Sequence, residues 1–189
     1  MMTLAMLTAG TIAEQRARLP PPADCTDPVA GVWKSHDYFM HVDHWYLNEL
    51  HIERVAGSDT ELTGRIEVEM WLGNKDRVQP PADCSESTLH YLVEQDARGV
   101  IKGTEIQFGG LNYRLKREIC GNFNGYNEDH FAGTIDPELS EFQTLNNDGG
   151  IAVNFPSVFR RVKCTDSPAD EPVEPPPFQP PKGVGCSLW

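Results

Sequence analysis

Four of the six histidines in this 189-residue chain fall within one stretch, Gly31 to His51, GVWKSHDYFMHVDHWYLNELH, along with two of its four tryptophans. Imidazoles titrate near neutral pH and ligate metals, so their spacing is the first thing to weigh. On one extended strand His36, Met40 and His44 share a face while His41 and Asp43 share the other, with residues two apart lying about 6.6 Å from each other. His41-x-Asp43 could then grip an ion together with His90 or His130 from a neighbouring strand. His36 and His44, eight positions apart, could share it only if the strand bends. The stretch lacks the three closely spaced ligands of a catalytic zinc site, and no metal is assigned. The loop Asn122 to Asp129, NFNGYNED, is rich in oxygen side chains around a glycine but lacks the one-three-five spacing and distal Glu of a calcium loop. No cofactor is implied elsewhere. Gly-x-Ser-x-Gly, a phosphate-cradling glycine loop and a His-paired cysteine are all missing from the sequence, and no catalytic residue is assigned. Glu67 and Glu69 are paired carboxylates, but they belong to the polar face of their strand, whereas a glycosidase dyad must face a cleft. The enzymatic alternative is an isomerase or cyclase working inside an apolar cup with His44, Tyr91 or Tyr113.

The elements that must position these residues read as strands. Glu61 to Trp71 puts Leu62, Gly64, Ile66, Val68 and Met70 on one face and Thr63, Arg65, Glu67, Glu69 and Trp71 on the other, the period of two of a half-buried strand. Leu89, Tyr91 and Val93 alternate likewise. A turn is expected at DARG, 96 to 99, then a strand holding Ile106 and Phe108, then a second turn at Gly109-Gly110. Beyond it Leu111, Tyr113, Leu115 and Ile119 oppose Asn112, Arg114, Lys116 and Glu118. FAGTID and EFQTL follow, joined at Asp136-Pro137, and Asn147 to Gly150 favours a tight turn before IAVNF and VFRRV. Counting the opening ribbon as two strands gives about eight or nine with no helical pattern between them. This predicts an all-β antiparallel meander, closed as a barrel or folded as a sandwich.

Composition sets the surroundings. The formal net charge of −12 disfavours nucleic acid and anionic membrane surfaces. The five cysteines, at 25, 84, 120, 164 and 186, lack the close pairing of a zinc ribbon and read as disulfide partners. A Cys25–Cys164 bond would staple the ends of the strand region and Cys84–Cys120 would tie two long loops, although spacing alone does not fix the connectivity. MMTLAMLTAGTIA has the length of a signal-peptide apolar region without its basic start, and either a degraded export signal or a helix running on through EQRARL accounts for it. No segment is apolar for long enough to span a bilayer as a helix. Residues 1–24 therefore read as a leader and proline spacer, 25–164 as the barrel, and 165–189 as a proline-rich acidic disordered tail, with a protein partner possible through PPPFQPP.

Gly31-Val32-Trp33 at the head of the first strand, the meander that follows, and Phe159-Arg160-Arg161 near its end resemble the lipocalin-like, calycin-type barrels. The opening Asp27-Pro28-Val29-Ala30-Gly31-Val32-Trp33 and the later Leu62 to Ile66 are similar to small exported bacterial proteins. The resemblance implies that Trp33 closes the barrel floor with Arg160 or Arg161 packed across it, over residues 27 to 164. It further implies a cup for a small apolar or amphipathic molecule among Val68, Met70, Tyr91, Tyr113 and Phe131, in a secreted or periplasmic protein. A barrel packed solid, serving as an extracellular interaction module, is the alternative.

Overall fold

The computed structural model describes residues 12–165. Eight strands follow one another around a closed antiparallel barrel: β1 (Gly31–Phe39), β2 (His44–Arg54), β3 (Glu61–Leu72), β4 (His90–Lys102), β5 (Glu105–Cys120), β6 (His130–Asp136), β7 (Glu141–Asn147) and β8 (Val153–Lys163). This is the expected all-β meander in its barrel form. The alternating residues sort by face, so that Trp33, Leu50 and Ile66 lie on one rung with Gln95 and point inward. Val29, Ile52, Leu62, Ile106, Phe108, Phe131, Phe142 and Phe159 join them in a continuous interior core. Each such side chain contributes roughly 1.5–3 kcal/mol by leaving water. The outer positions between them carry charge, as in the Lys34–Glu49 and Arg65–Glu67 ion pairs at 2.7 and 2.6 Å. Apolar inside and charged outside is the reverse of a transmembrane barrel. No helix among the described residues is long and apolar enough to cross a membrane.

Strand boundaries differ from the sequence pattern in three places. DARG does not turn: β4 runs through it, because Asp96 and Arg98 keep the outward positions while Ala97 and Gly99 keep the inward ones. Gly109-Gly110 does not turn either, and β5 continues through it. These glycines answer close approaches, since a Cβ at Gly110 would lie 1.9 Å from Gln95 Oε1 and one at Gly109 would lie 2.3 Å from His130 Nδ1. The hairpin turns instead at Gly103, whose φ of 63° suits glycine. Third, Asn112 adopts a left-handed φ of 51° where the β4–β5 register slips, which removes Leu111 from the face shared by Tyr113 and Leu115.

Closure between β1 and β8 is partial, with pairing only at Val32–Lys163, Trp33–Arg161 and Lys34–Arg160. Beyond them the two strands part, and a short helix, α1 (Ile12–Arg18), covers the gap. Its Gln15 is fully buried and works as a strand would: Nε2 donates to the Pro156 carbonyl at 2.9 Å while Oε1 accepts from the Val158 N–H at 3.0 Å. On the other side Arg18 donates to the His36 carbonyl at 2.7 Å. Part of the expected leader is thus a docked element of the domain. Two disulfides, Cys25–Cys164 and Cys84–Cys120, complete the scaffold in the arrangement anticipated above. Residues 1–11 and 166–189, including Cys186 and the proline-rich segment, lie outside the described residues.

Candidate functional site

The histidine ribbon does not form one extended face. A turn over residues 40–43, with Asp43 at φ 52°, folds it into the β1–β2 hairpin. His36 therefore faces outward, and it is covered. Its ring packs 5.1 Å from Trp45 and 5.9 Å from Trp71 beneath the loop of residues 73–89. Trp45 and Trp71 stack at 6.1 Å, and their indole N–H groups donate to the Asn74 and Arg77 carbonyls at 3.0 Å each. Burial, then the nearby Arg18 cation, pulls the His36 pKa down to about 4, so the ring is neutral. His90 donates through Nε2 to Glu69 at 2.8 Å, and Tyr38 donates to Asp43 at 2.5 Å. His41 and Asp43 stay in the turn and His130 belongs to an outer-wall cleft. Among the described residues no three His, Cys, Asp or Glu side chains converge on one point.

Inside the barrel two buried carboxyl groups organise the polar half. Asp37 Oδ2 accepts from Ser35 Oγ at 2.7 Å, Ser157 Oγ at 2.9 Å and Asn48 Nδ2 at 3.3 Å. Its Oδ1 has no partner among the described residues. Burial outweighs those donors and raises the Asp37 pKa to about 6. Asp129, the last residue of the oxygen-rich loop, is turned inward rather than toward a cation. It accepts from Gln95 and Tyr126, both at 2.7 Å, and from Asn146 at 2.9 Å, and burial raises its pKa too. Above it Tyr91 meets Phe123 edge-on at 5.0 Å, and burial pushes the Tyr46, Tyr91 and Tyr126 hydroxyls up, with Asp129 adding to the effect. Five strands and a loop supply these groups. No short motif announces them.

The residues expected around a cup separate. Val68, Met70, Tyr91 and Phe131 are buried among interior neighbours. Tyr113 is exposed at the rim, its ring 6.1 Å from Tyr126. Trp33 is fully buried, its indole N–H donates to the Val29 carbonyl at 2.8 Å, and the Arg161 guanidinium lies over its ring at 5.3 Å. Arg161 also donates to the Asp27 carbonyl, while Asp27 itself turns the chain into β1 by accepting from the Val29 and Ala30 N–H groups. Arg160 points outward and joins Arg16 of α1 on Glu141.

A cleft opens on the outer wall. Val100, Gln107, Ala132 and Leu145 sit opposite one another across β4, β5, β6 and β7. Small residues at the centre, Gly109 and Ala132, leave a trough between larger rims. The resulting cleft of about 790 Å³ is lined further by Arg98, Leu111 and His130. Val100, Leu111 and Leu145 keep 52, 40 and 47 % of their surface. Exposed apolar clusters of this kind are the sort of surface on which recognition sites are built. Sequence reasoning missed it because the pairing that lines up these four strands is not written in any one of them.

Fold and surface together define a packed, disulfide-stapled, eight-stranded antiparallel barrel with an apolar cleft outside it. No family model matches the chain, and no curated protein or solved structure shows significant similarity to it.

Proposed function

We propose that this protein is an exported, lipocalin-like barrel that serves as an interaction module, with the barrel as scaffold and the outer cleft over β4–β7 as the seat of an extended segment of a partner protein. The observation that carries this reading is where the space lies. The interior is filled by Trp33, Leu50, Ile66, Phe108, Phe131, Phe142 and Phe159, all with almost no surface left, whereas the 790 Å³ cleft is outside. Lipocalin-likeness rests on Gly31-Val32-Trp33 with Arg161 across the indole. Export is supported by the two disulfides, which persist in oxidising compartments. The cup among Val68, Met70, Tyr91, Tyr113 and Phe131 is the competing reading, and it requires side chains now packed on one another to part.

Amide and methyl NMR on titration with a medium-chain fatty acid separates the two. Saturable binding with shifts confined to Val68, Met70 and Val93 would return the ligand to the interior and end the interaction-module reading. Silence there, with partner-peptide shifts at Val100, Ala132 and Leu145 that disappear in Ala132→Trp, supports the outer cleft.

A further inference from the structure

The cleft crosses strands rather than following one. Val100, Gln107, Ala132 and Leu145 are successive partners on β4, β5, β6 and β7, and the main chain beneath them is already engaged in ladders with the strands on either side. An occupant laid across such a floor finds no backbone partners there. Each N–H group that it buries would go unpaired, at about 1–3 kcal/mol apiece. A proline-rich segment escapes that penalty, because proline carries no N–H. The apolar side chains at the two ends of the floor, Val100 and Leu145, lie three strand spacings apart, about 14 Å. Arg98, also at the cleft, has no ion-pair partner among the described residues.

We propose that the cleft is the seat of this chain's own proline-rich segment, residues 171–181, which folds back from the end of β8 and holds the site until a partner segment displaces it. Six of the eleven residues of EPVEPPPFQPP are proline, so few N–H groups are set against the floor. The three-residue period of the polyproline form sorts the rest onto three edges. Val173, Pro176 and Gln179 share one edge, and Pro172, Pro175, Phe178 and Pro181 share the second. Two edges can lie on a surface together, and these two are the apolar ones. The third carries Glu171 and Glu174, which then point off the floor, with Arg98 as their counter-charge. Val173 and Phe178 are about 15 Å apart along this form, close to the separation of Leu145 from Val100. The tether is long enough. From Lys163 to Val173 the chain can span about 33 Å, whereas Leu145, paired with Pro156 on β8, lies about 24 Å from Lys163. A segment from a second copy fits the same floor, but a chain of net charge −12 repels its own copies, and a tethered segment is always at hand.

This occupant rests on the reading of the cleft as a seat for extended segments. Methyl NMR on the full chain compares the native sequence with Val173→Ser/Phe178→Ser, two positions outside the barrel. Val100, Ala132 and Leu145 should shift between the two, by amounts unchanged on tenfold dilution. A synthetic peptide of residues 168–182 should then bind the double variant roughly tenfold more tightly than the native chain, because the tethered segment competes at an effective concentration near millimolar. Adding Ala132→Trp or, separately, Leu145→Glu to the variant should abolish that binding. Identical cleft methyls in native chain and variant overturn the proposal. So do shifts that fade on dilution, which would make a second copy's segment the occupant. Equal peptide binding to both chains, lost in Ala132→Trp, leaves the cleft as a peptide seat and removes the intramolecular occupant alone. No binding to either chain also removes it, while the fatty-acid titration decides the cleft reading independently.

Discussion

Asp37 receives three donors on one carboxyl oxygen and none on the other, at a site closed to water. Folding therefore favours its neutral form. With the pKa raised from 3.8 to about 6, the stability associated with this group is fully present below about pH 4 and falls as pH rises through 6. A shift of that size corresponds to about 3 kcal/mol. Urea denaturation of Asp37→Asn between pH 4 and 7 should show a flatter profile than the native chain across that window, and a parallel profile would mean the carboxyl is already ionised when folded. Asp27 is shifted the other way, to about 2, where Arg54 and the Val29 and Ala30 N–H groups overcome its burial. Its contribution is lost only as pH falls below the ordinary carboxylate range. Trp33 is the other residue on which much depends. Trp33→Ala empties the buried space beneath Arg161 and should cost about 3–5 kcal/mol by the same measurement. The indole was legible from Gly-x-Trp. Asp37 was not, because Ser35, Asn48 and Ser157 come from three strands and meet it only once the register of the seam is set.

At the level of elements, α1 is a helix that completes a sheet. Its seven residues are too few to be stable alone, so its place is fixed by what it caps. Gln15→Ala leaves the Pro156 carbonyl and the Val158 N–H buried without partners, a loss of about 1–3 kcal/mol. Faster hydrogen exchange at Val158 and its β8 neighbours, with exchange in β3 and β4 rising only as far as global stability falls, is the expected signature. Unchanged exchange at Val158 would mean water replaces the amide without loss. The strands themselves were readable wherever period two ran unbroken, as in β3. Errors came where a polar or glycine-rich run looks like a turn but continues a strand, at DARG and at Gly109-Gly110. The alternation of Asp96, Ala97, Arg98 and Gly99 still obeys the pleat, and the glycines are explained by Gln95 and His130, which arrive from elsewhere in the chain. Trp71 was placed on the face of Glu67 and Glu69, which the barrel turns outward. Its burial there was not legible, because the cover comes from residues 73–89, a loop held by Arg77 and by a disulfide rather than by any periodic pattern.

Over the whole molecule, the two disulfides divide the work between closing the domain and holding that cover. Cys25–Cys164 joins residues 139 apart at the β1–β8 seam, where only three backbone pairs close the barrel. Chain entropy alone assigns it about 5 kcal/mol, against about 4 kcal/mol for Cys84–Cys120 with a separation of 36. Their loss should differ in kind as well as size. Replacing Cys25 and Cys164 with serine removes a constraint on the unfolded chain and leaves every aromatic contact in place, so the midpoint of thermal unfolding falls while native tryptophan emission is unchanged. Replacing Cys84 and Cys120 releases the loop over the stacked Trp45 and Trp71, so native emission shifts to the red and His36 gains water. Because His36 is held neutral chiefly by burial, its pKa should then climb from about 4 toward 6.5, visible in the pH dependence of its ring protons by NMR. If emission and the His36 titration both stay as they were, the loop is held by its own contacts, Trp45 Nε1 to Asn74 and Trp71 Nε1 to Arg77, and the second disulfide constrains only the unfolded chain.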